Sequence, residues 1–155
     1  MNDEERYSNP VEARKKAMDY LARREHARGE LARKLETAGF NADIADQAIG
    51  RLAEEGLQSD RRFVESFVQS RINQGKGPVR IRAELGERGI ASGLVDVVID
   101  DAHEDWRGLA REIRVKRFGR ELPVDFKDKA RQMRFLQYRG FEPDHIQAAV
   151  AAHDE

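Results

Sequence analysis

The chain reads as all-α, built from three tandem three-helix, helix-turn-helix-like repeats forming an elongated curved array. Three observations lead there. The first is an internal period: LARKLETAGF (31–40), AELGERGI (83–90) and MRFLQYRGF (133–141) each place a Leu, three further residues, a Gly and a large apolar residue in one order. The three positions are Leu35/Gly39/Phe40, Leu85/Gly89/Ile90 and Leu136/Gly140/Phe141, with the glycines 50 and 51 residues apart. The second is apolar spacing of three and four residues between these stops, the signature of a helix with one buried stripe. The third is a composition of 39% hydrophobic and 37% charged residues, which suits thin helices that each expose a wide polar face. A small helical unit cannot bury its own apolar stripe, whereas units stacked in series share a core.

Taken in order, residues 1–9 are polar and aperiodic and are expected to form a flexible tail. Repeat one spans 10–58. Asn9, Pro10 and Glu12 give a cap, a proline at the first helical position and an early acid, which opens a helix bearing Ala13, Ala17, Tyr20 and Leu21. Gly29 and Glu30 open a second helix with Leu31, Leu35 and Ala38 inward. Asn41 is placed to cap a third, bearing Ile44, Ala48, Ile49 and Leu52 and ended by Gly56.

Repeat two spans 59–103. Ser59 or Asp60 caps a helix with Phe63, Val64, Phe67, Val68 and Ile72, and GKGP (75–78) breaks it and restarts the chain at Pro78. Ile81 and Leu85 face inward on the next helix. Ser92 is expected to cap the last. Its LVDVVI run would suit a strand in isolation, but its equivalence to 44–52 and its 3, 4 spacing favour a helix. Repeat three spans 104–155. Trp106, Leu109, Ala110 and Ile113 share one stripe up to a stop at Gly119, and ELPVDF (121–126) is a loop with Asp125 as a cap. Phe126, Ala130, Met133 and Leu136 are expected inward, and Pro143 and Asp144 start a last helix with Ile146, Ala149 and Val150. The expectation is nine helices and no sheet.

The net charge of −1 conceals a partition. Residues 1–60 hold 10 Lys/Arg against 13 Asp/Glu, and residues 61–106 hold 7 against 8. Residues 107–140 hold 11 against 4, a local +7, and 141–155 add four acids and no base. A dense cationic stretch repels itself unless something anionic covers it. Arg111, Arg114, Lys116, Arg117, Arg120, Lys127, Lys129, Arg131 and Arg134 are therefore the candidate binding residues. Guanidinium groups suit phosphate and carboxylate alike, so DNA and an acidic protein surface both remain open. Arg80, Arg82 and Arg88 are a secondary set that salt bridges to Glu84 and Glu87 would equally explain.

Other signals point away from chemistry. Phe135, Tyr138 and Phe141 lie among bases and could stack nucleobases, but their spacing is that of core residues. GKGP lacks the GxxxxGK[ST] frame of a phosphate loop. His26, His103, His145 and His153 have no metal-ligand spacing, there is no Cys, and Asp100, Asp101, Glu104 and Asp105 read as solvated acids. No nucleophile elbow is present. The chain is read as non-catalytic, with no metal or cofactor. No apolar run approaches 18 residues and no export signal opens the chain, so the cytoplasm is the expected compartment.

LARREHARGELARKL (21–35), SDRRFVESFVQSRINQGKGPVRIRAELGERGI (59–90), DWRGLAREIRVKRFG (105–119) and RFLQYRGF (134–141) together resemble the RecX family of regulatory proteins, from about Ala17 to Val150. The resemblance implies three tandem three-helix repeats and no active site. It also implies a protein that binds the RecA recombinase and RecA–DNA filaments, blocking filament growth or promoting disassembly. Strand exchange, ATP hydrolysis and the coprotease function behind the SOS response would fall as a result. A monomer is expected. The competing readings are a sequence-tolerant protein that binds single- or double-stranded DNA directly, a small helical enzyme, and a scaffold.

Overall fold

The structure, a computed structural model, describes residues 1–152, and ten α-helices and no strand occur among them. They are α1 (Asp3–Tyr7), α2 (Pro10–Arg23), α3 (Arg28–Thr37), α4 (Ala42–Glu54), α5 (Asp60–Asn73), α6 (Pro78–Glu87), α7 (Ser92–Ala102), α8 (Trp106–Phe118), α9 (Phe126–Tyr138) and α10 (Pro143–Val150). The chain divides into two units. One comprises residues 1–66 with 88–90, and the other 67–87 with the chain from 91 onward.

In the first unit α2, α3 and α4 enclose Ala13, Ala17, Leu31, Leu35, Phe40, Ala45, Ala48, Ile49 and Leu52. Alanines on α2 and α4 let those helices approach closely, while the leucines of α3 fill the space beside them. The expected caps are present: Asn9 Oδ1 accepts from Val11 N–H and Asn41 Oδ1 from Asp43 N–H, each at 2.9 Å. Ser59 Oγ accepts from Arg62 N–H at the start of α5. The first nine residues depart from the expected tail. Asn2 Oδ1 caps α1 through Glu5 N–H at 2.8 Å, and the Tyr7 ring meets Phe40 edge-on at 5.4 Å. Tyr7 O also accepts from Asn41 N–H, so α1 is stapled to the α3–α4 turn.

In the second unit α6 and α7 bury Ile81, Leu85, Val95, Val98 and Ile99, and the LVDVVI run is helical as its spacing indicates. Ser92 does not cap α7: Ala91 holds that position with no side-chain bond. The core of the third repeat joins Ala110, Ile113, Leu136, Phe141, Ile146, Ala149 and Val150. Asp105 caps α8 and Asp125 caps α9, accepting from Gly108 and Asp128 N–H. The repeat glycines Gly39, Gly89 and Gly140 all have positive φ, at 112°, 79° and 96°, and close the helices before them as the period implied.

A backbone joint links the turn before α6 to the turn after α9. Gly77 N–H donates to Arg139 O and Val79 N–H to Gly140 O, both at 2.9 Å. Pro78 has no N–H to satisfy, so the first turn of α6 directs its free donors at the carbonyl end of α9, where the two helix dipoles are complementary. A Cβ on Gly77 would collide with Gly140 O, and one on Gly140 with Arg80.

Candidate functional site

The basic stretch lies on α8, the 119–125 loop and α9. These elements place its side chains in three distinct circumstances. Arg114 is buried at 3% exposure. Its Nη1 donates to Glu121 O (3.1 Å), Gln132 Oε1 (3.3 Å) and Gly119 O (3.4 Å), and its Nη2 to Arg120 O (3.4 Å). Expected at the binding surface, it instead staples the loop to the repeat core and is removed from the candidate site. The signal was present, since Arg114 falls at i+4 from Ala110 and its partner Gln132 at i−4 from Leu136, both on inward stripes.

Other candidates are partly engaged. Arg111 Nε reaches Ala148 O at 3.5 Å, Lys116 pairs with Glu112 at 3.2 Å, and Arg131 holds Asp128 at 2.8 Å. Arg117, Arg131 and Arg139 surround two rings. Phe118 and Phe135 meet edge-on at 5.3 Å, the Arg117 and Arg139 guanidinium carbons lie 5.6 and 5.5 Å from the Phe135 centroid, and that of Arg131 lies 5.0 Å from Phe118. The rings hold the cations at defined positions. Arg139 also donates to Gln74 O, a contact the sequence did not indicate. The side chains of Arg120, Lys127, Lys129 and Arg134 have no ion-pair partner among the described residues.

The secondary set divides as well. Arg82 bridges Asp96 (3.2 Å) and Glu142 (3.4 Å), and Arg88 lies 3.7 Å from Glu30. Salt bridging is thus the structural role of both, though with other acids than Glu84 and Glu87; Glu84 pairs with Arg71 and Lys76. Arg80 differs, because its guanidinium lies 5.4 Å from the Tyr138 ring and Tyr138 is 75% exposed. Tyr138 is therefore not a core residue as its spacing suggested, whereas Phe141 is buried and Phe135 half-buried against the core. Phe126 was also expected inward and is instead exposed.

The remaining candidates resolve into structural roles. GKGP breaks the helix between Asn73 and Pro78. His145 Nδ1 accepts from Glu142 N–H at the start of α10, and His103 ends α7 with φ +49°. His153 lies outside the described residues. His26, only 1% exposed, accepts from Lys34 Nζ at Nε2 (2.8 Å), which leaves Nδ1 to donate to Arg24 O (3.0 Å). Burial lowers its pKa below the ordinary 6.5 and the charges of Arg24 and Lys34 lower it further, against an opposing bond to Arg24 O. Burial would raise the Glu30 carboxyl, but the Arg24 hydrogen bonds and the charges of Arg24, His26 and Lys34 hold it below its usual range. No group of three or more His, Asp or Glu among the described residues could hold a metal ion, and no helix there is long and apolar enough to cross a membrane.

Comparison with known proteins matches the chain to three family profiles. They are RecX, first three-helix domain, over residues 13–52; RecX, second three-helix domain, over 59–99; and RecX, third three-helix domain, over 106–150. The chain is 49% identical over 139 residues to the regulatory protein RecX of Halorhodospira halophila, covering 90% of this chain and 86% of that one. It is 47% identical over 147 residues to that of Ectopseudomonas mendocina, covering 95% and 98%. In fold it is similar to the crystal structure of RecX from Lactobacillus salivarius, with a TM-score of 0.78 at 20% identity over 91% of this chain and 94% of that one. The relatives are named regulatory proteins, and three three-helix domains at these identities leave one assignment: the chain belongs to the RecX family.

Proposed function

We propose that the chain is a non-catalytic, cytoplasmic negative regulator of the RecA recombinase. It binds RecA and RecA–DNA filaments and inhibits filament extension, ATP hydrolysis, strand exchange and coprotease activity. The observation that supports a site for this on the third repeat is the set of exposed cations left unneutralised there: Arg120, Lys127 and Arg134, with Lys129 half-buried. Arg117, held against Phe135, extends the set, and Arg131, held against Phe118, stands beside it already paired with Asp128. Unpaired cations at this density gain from meeting phosphate or carboxylate, and several weak contacts add through effective concentration.

The test is RecA's hydrolysis of ATP on single-stranded DNA with substoichiometric amounts of this protein. Hydrolysis should fall at ratios well below one per RecA. The variant Arg117→Ser, Lys127→Ser, Arg131→Ser, Arg134→Ser should keep its helicity by circular dichroism and lose most of the inhibition; full inhibition by that folded variant would remove the site from the third repeat.

The second reading is sequence-tolerant DNA binding, with the Arg80–Tyr138 pair as its support, since an exposed ring beside a guanidinium can stack a base and hold its phosphate. That reading requires DNA binding without RecA, steeply weakened by salt, and loss of hydrolysis only when the protein saturates the strand.

A further inference from the structure

Two of the most exposed apolar side chains in the described chain sit together at the start of α9. Val124 is 98% and Phe126 87% exposed. Nothing in the local folding requires this, because Asp125 between them already caps the helix. Phe126 borders a groove of about 490 Å³ between α9 and α10. Phe126, Ala130, Met133 and Gln137, at i, i+4, i+7 and i+11, form one continuous stripe along it, and Gln147 contributes from α10. The surface is mainly apolar with two amides. Lys129 and Arg134 also line it, and the side chain of neither has a hydrogen bond or ion pair among the described residues.

We propose that this groove takes an acidic peptide segment carrying an apolar anchor, supplied by a partner protein. An apolar stripe selects a Leu- or Phe-like side chain, the two amides can pair with peptide groups, and the free cations select carboxylates around the anchor. Nucleic acid fits less well. Among the described residues that line the groove Phe126 is the one aromatic ring, so successive bases find no platform, and two cations five positions apart do not form a track for a phosphate backbone. The proposal rests on the regulator reading only for the source of the segment, and assigns to an acidic protein surface one face of the helix that the charge pattern left open to either DNA or protein.

The experiment titrates the full chain against two labelled peptides by fluorescence anisotropy, without RecA. One is a short Asp/Glu-rich peptide with two leucines one helical turn apart, and the other has both leucines replaced by serine. The leucine peptide should bind about tenfold or more tightly. Phe126→Ser, at a position too exposed to support the fold, should bring it to the level of the serine peptide while leaving binding of oligothymidylate unchanged. Lys129→Glu with Arg134→Glu should weaken both peptides. Equal binding of the two peptides, or a leucine peptide indifferent to Phe126→Ser, overturns the proposal, and parallel loss of oligothymidylate binding gives the groove to nucleic acid instead. Because no recombinase is present, failure here leaves the regulator reading standing. A chain that binds the leucine peptide yet leaves RecA hydrolysis untouched keeps the groove and retires the regulator.

Discussion

Arg114 and Arg117 lie three residues apart on one helix and have opposite roles. Arg114 carries a guanidinium whose Nη groups meet three backbone carbonyls and one amide oxygen, and whose Nε has no partner. Arg114→Ala leaves those carbonyls and Gln132 without donors, so we expect a loss of about 1 to 3 kcal/mol in urea unfolding, with the 119–121 loop exchanging faster. Arg117→Ala, on the surface, should stay within about 0.5 kcal/mol of the parent. His26 makes a separate prediction. Its folded pKa lies below 6.5, so between those two values the unfolded chain binds the extra proton. The stability contributed by the neutral ring is complete above 6.5 and is lost as pH falls from there toward the folded pKa, because a protonated Nε2 can no longer accept from Lys34. The urea midpoint of the parent should drop over that window more than that of His26→Gln.

At the scale of elements, most of the architecture was legible. The period placed the helix stops, and Asn9, Asn41, Asp125 and Pro143 marked helix starts because short polar side chains and proline act locally. What escaped depended on contacts distant in sequence. The α1 helix carries its own cap at Asn2 with Glu5 three residues on, but a segment that short is held by Tyr7, through its ring on Phe40 and its carbonyl to Asn41 N–H, which no local pattern announces. Tyr138 and Phe126 share the helical spacing of core residues and sit outside it, since spacing gives a face and not the neighbour that would cover it. The glycines of α6 and its joint separate local from distant effects. Gly86 is exposed, with open space where a Cβ would sit, and Gly86→Ala should stabilise by about 0.5 to 1 kcal/mol. Gly140 has φ +96° and Arg80 N only 2.7 Å from its would-be Cβ, so Gly140→Ala should cost about 2 kcal/mol or more in the same assay.

For the whole molecule, bulk charge is a poor guide to behaviour. A pI near 6.5 predicts indifference to polyanions at neutral pH, whereas the +7 of residues 107–140 predicts retention on heparin at low salt and early elution as salt rises. The quadruple serine variant should pass through the same column. This much of the candidate site could be read from charge density alone, but which cations were available could not, because ion pairs to Asp128, Glu112, Asp96 and Glu142 form only on folding.

The joint at Gly77 and Gly140 also bears on how the chain can be cut. Family profiles end the second three-helix domain at residue 99 and begin the third at 106, inviting a division there. Yet the amides of Gly77 and Val79 find their acceptors at residues 139 and 140. A fragment ending near residue 103 would expose the opening turn of α6 with its donors unmet. Deuterium uptake at those two amides should follow the opening of α9 and its turn, so a probe in one repeat reports on the integrity of the next.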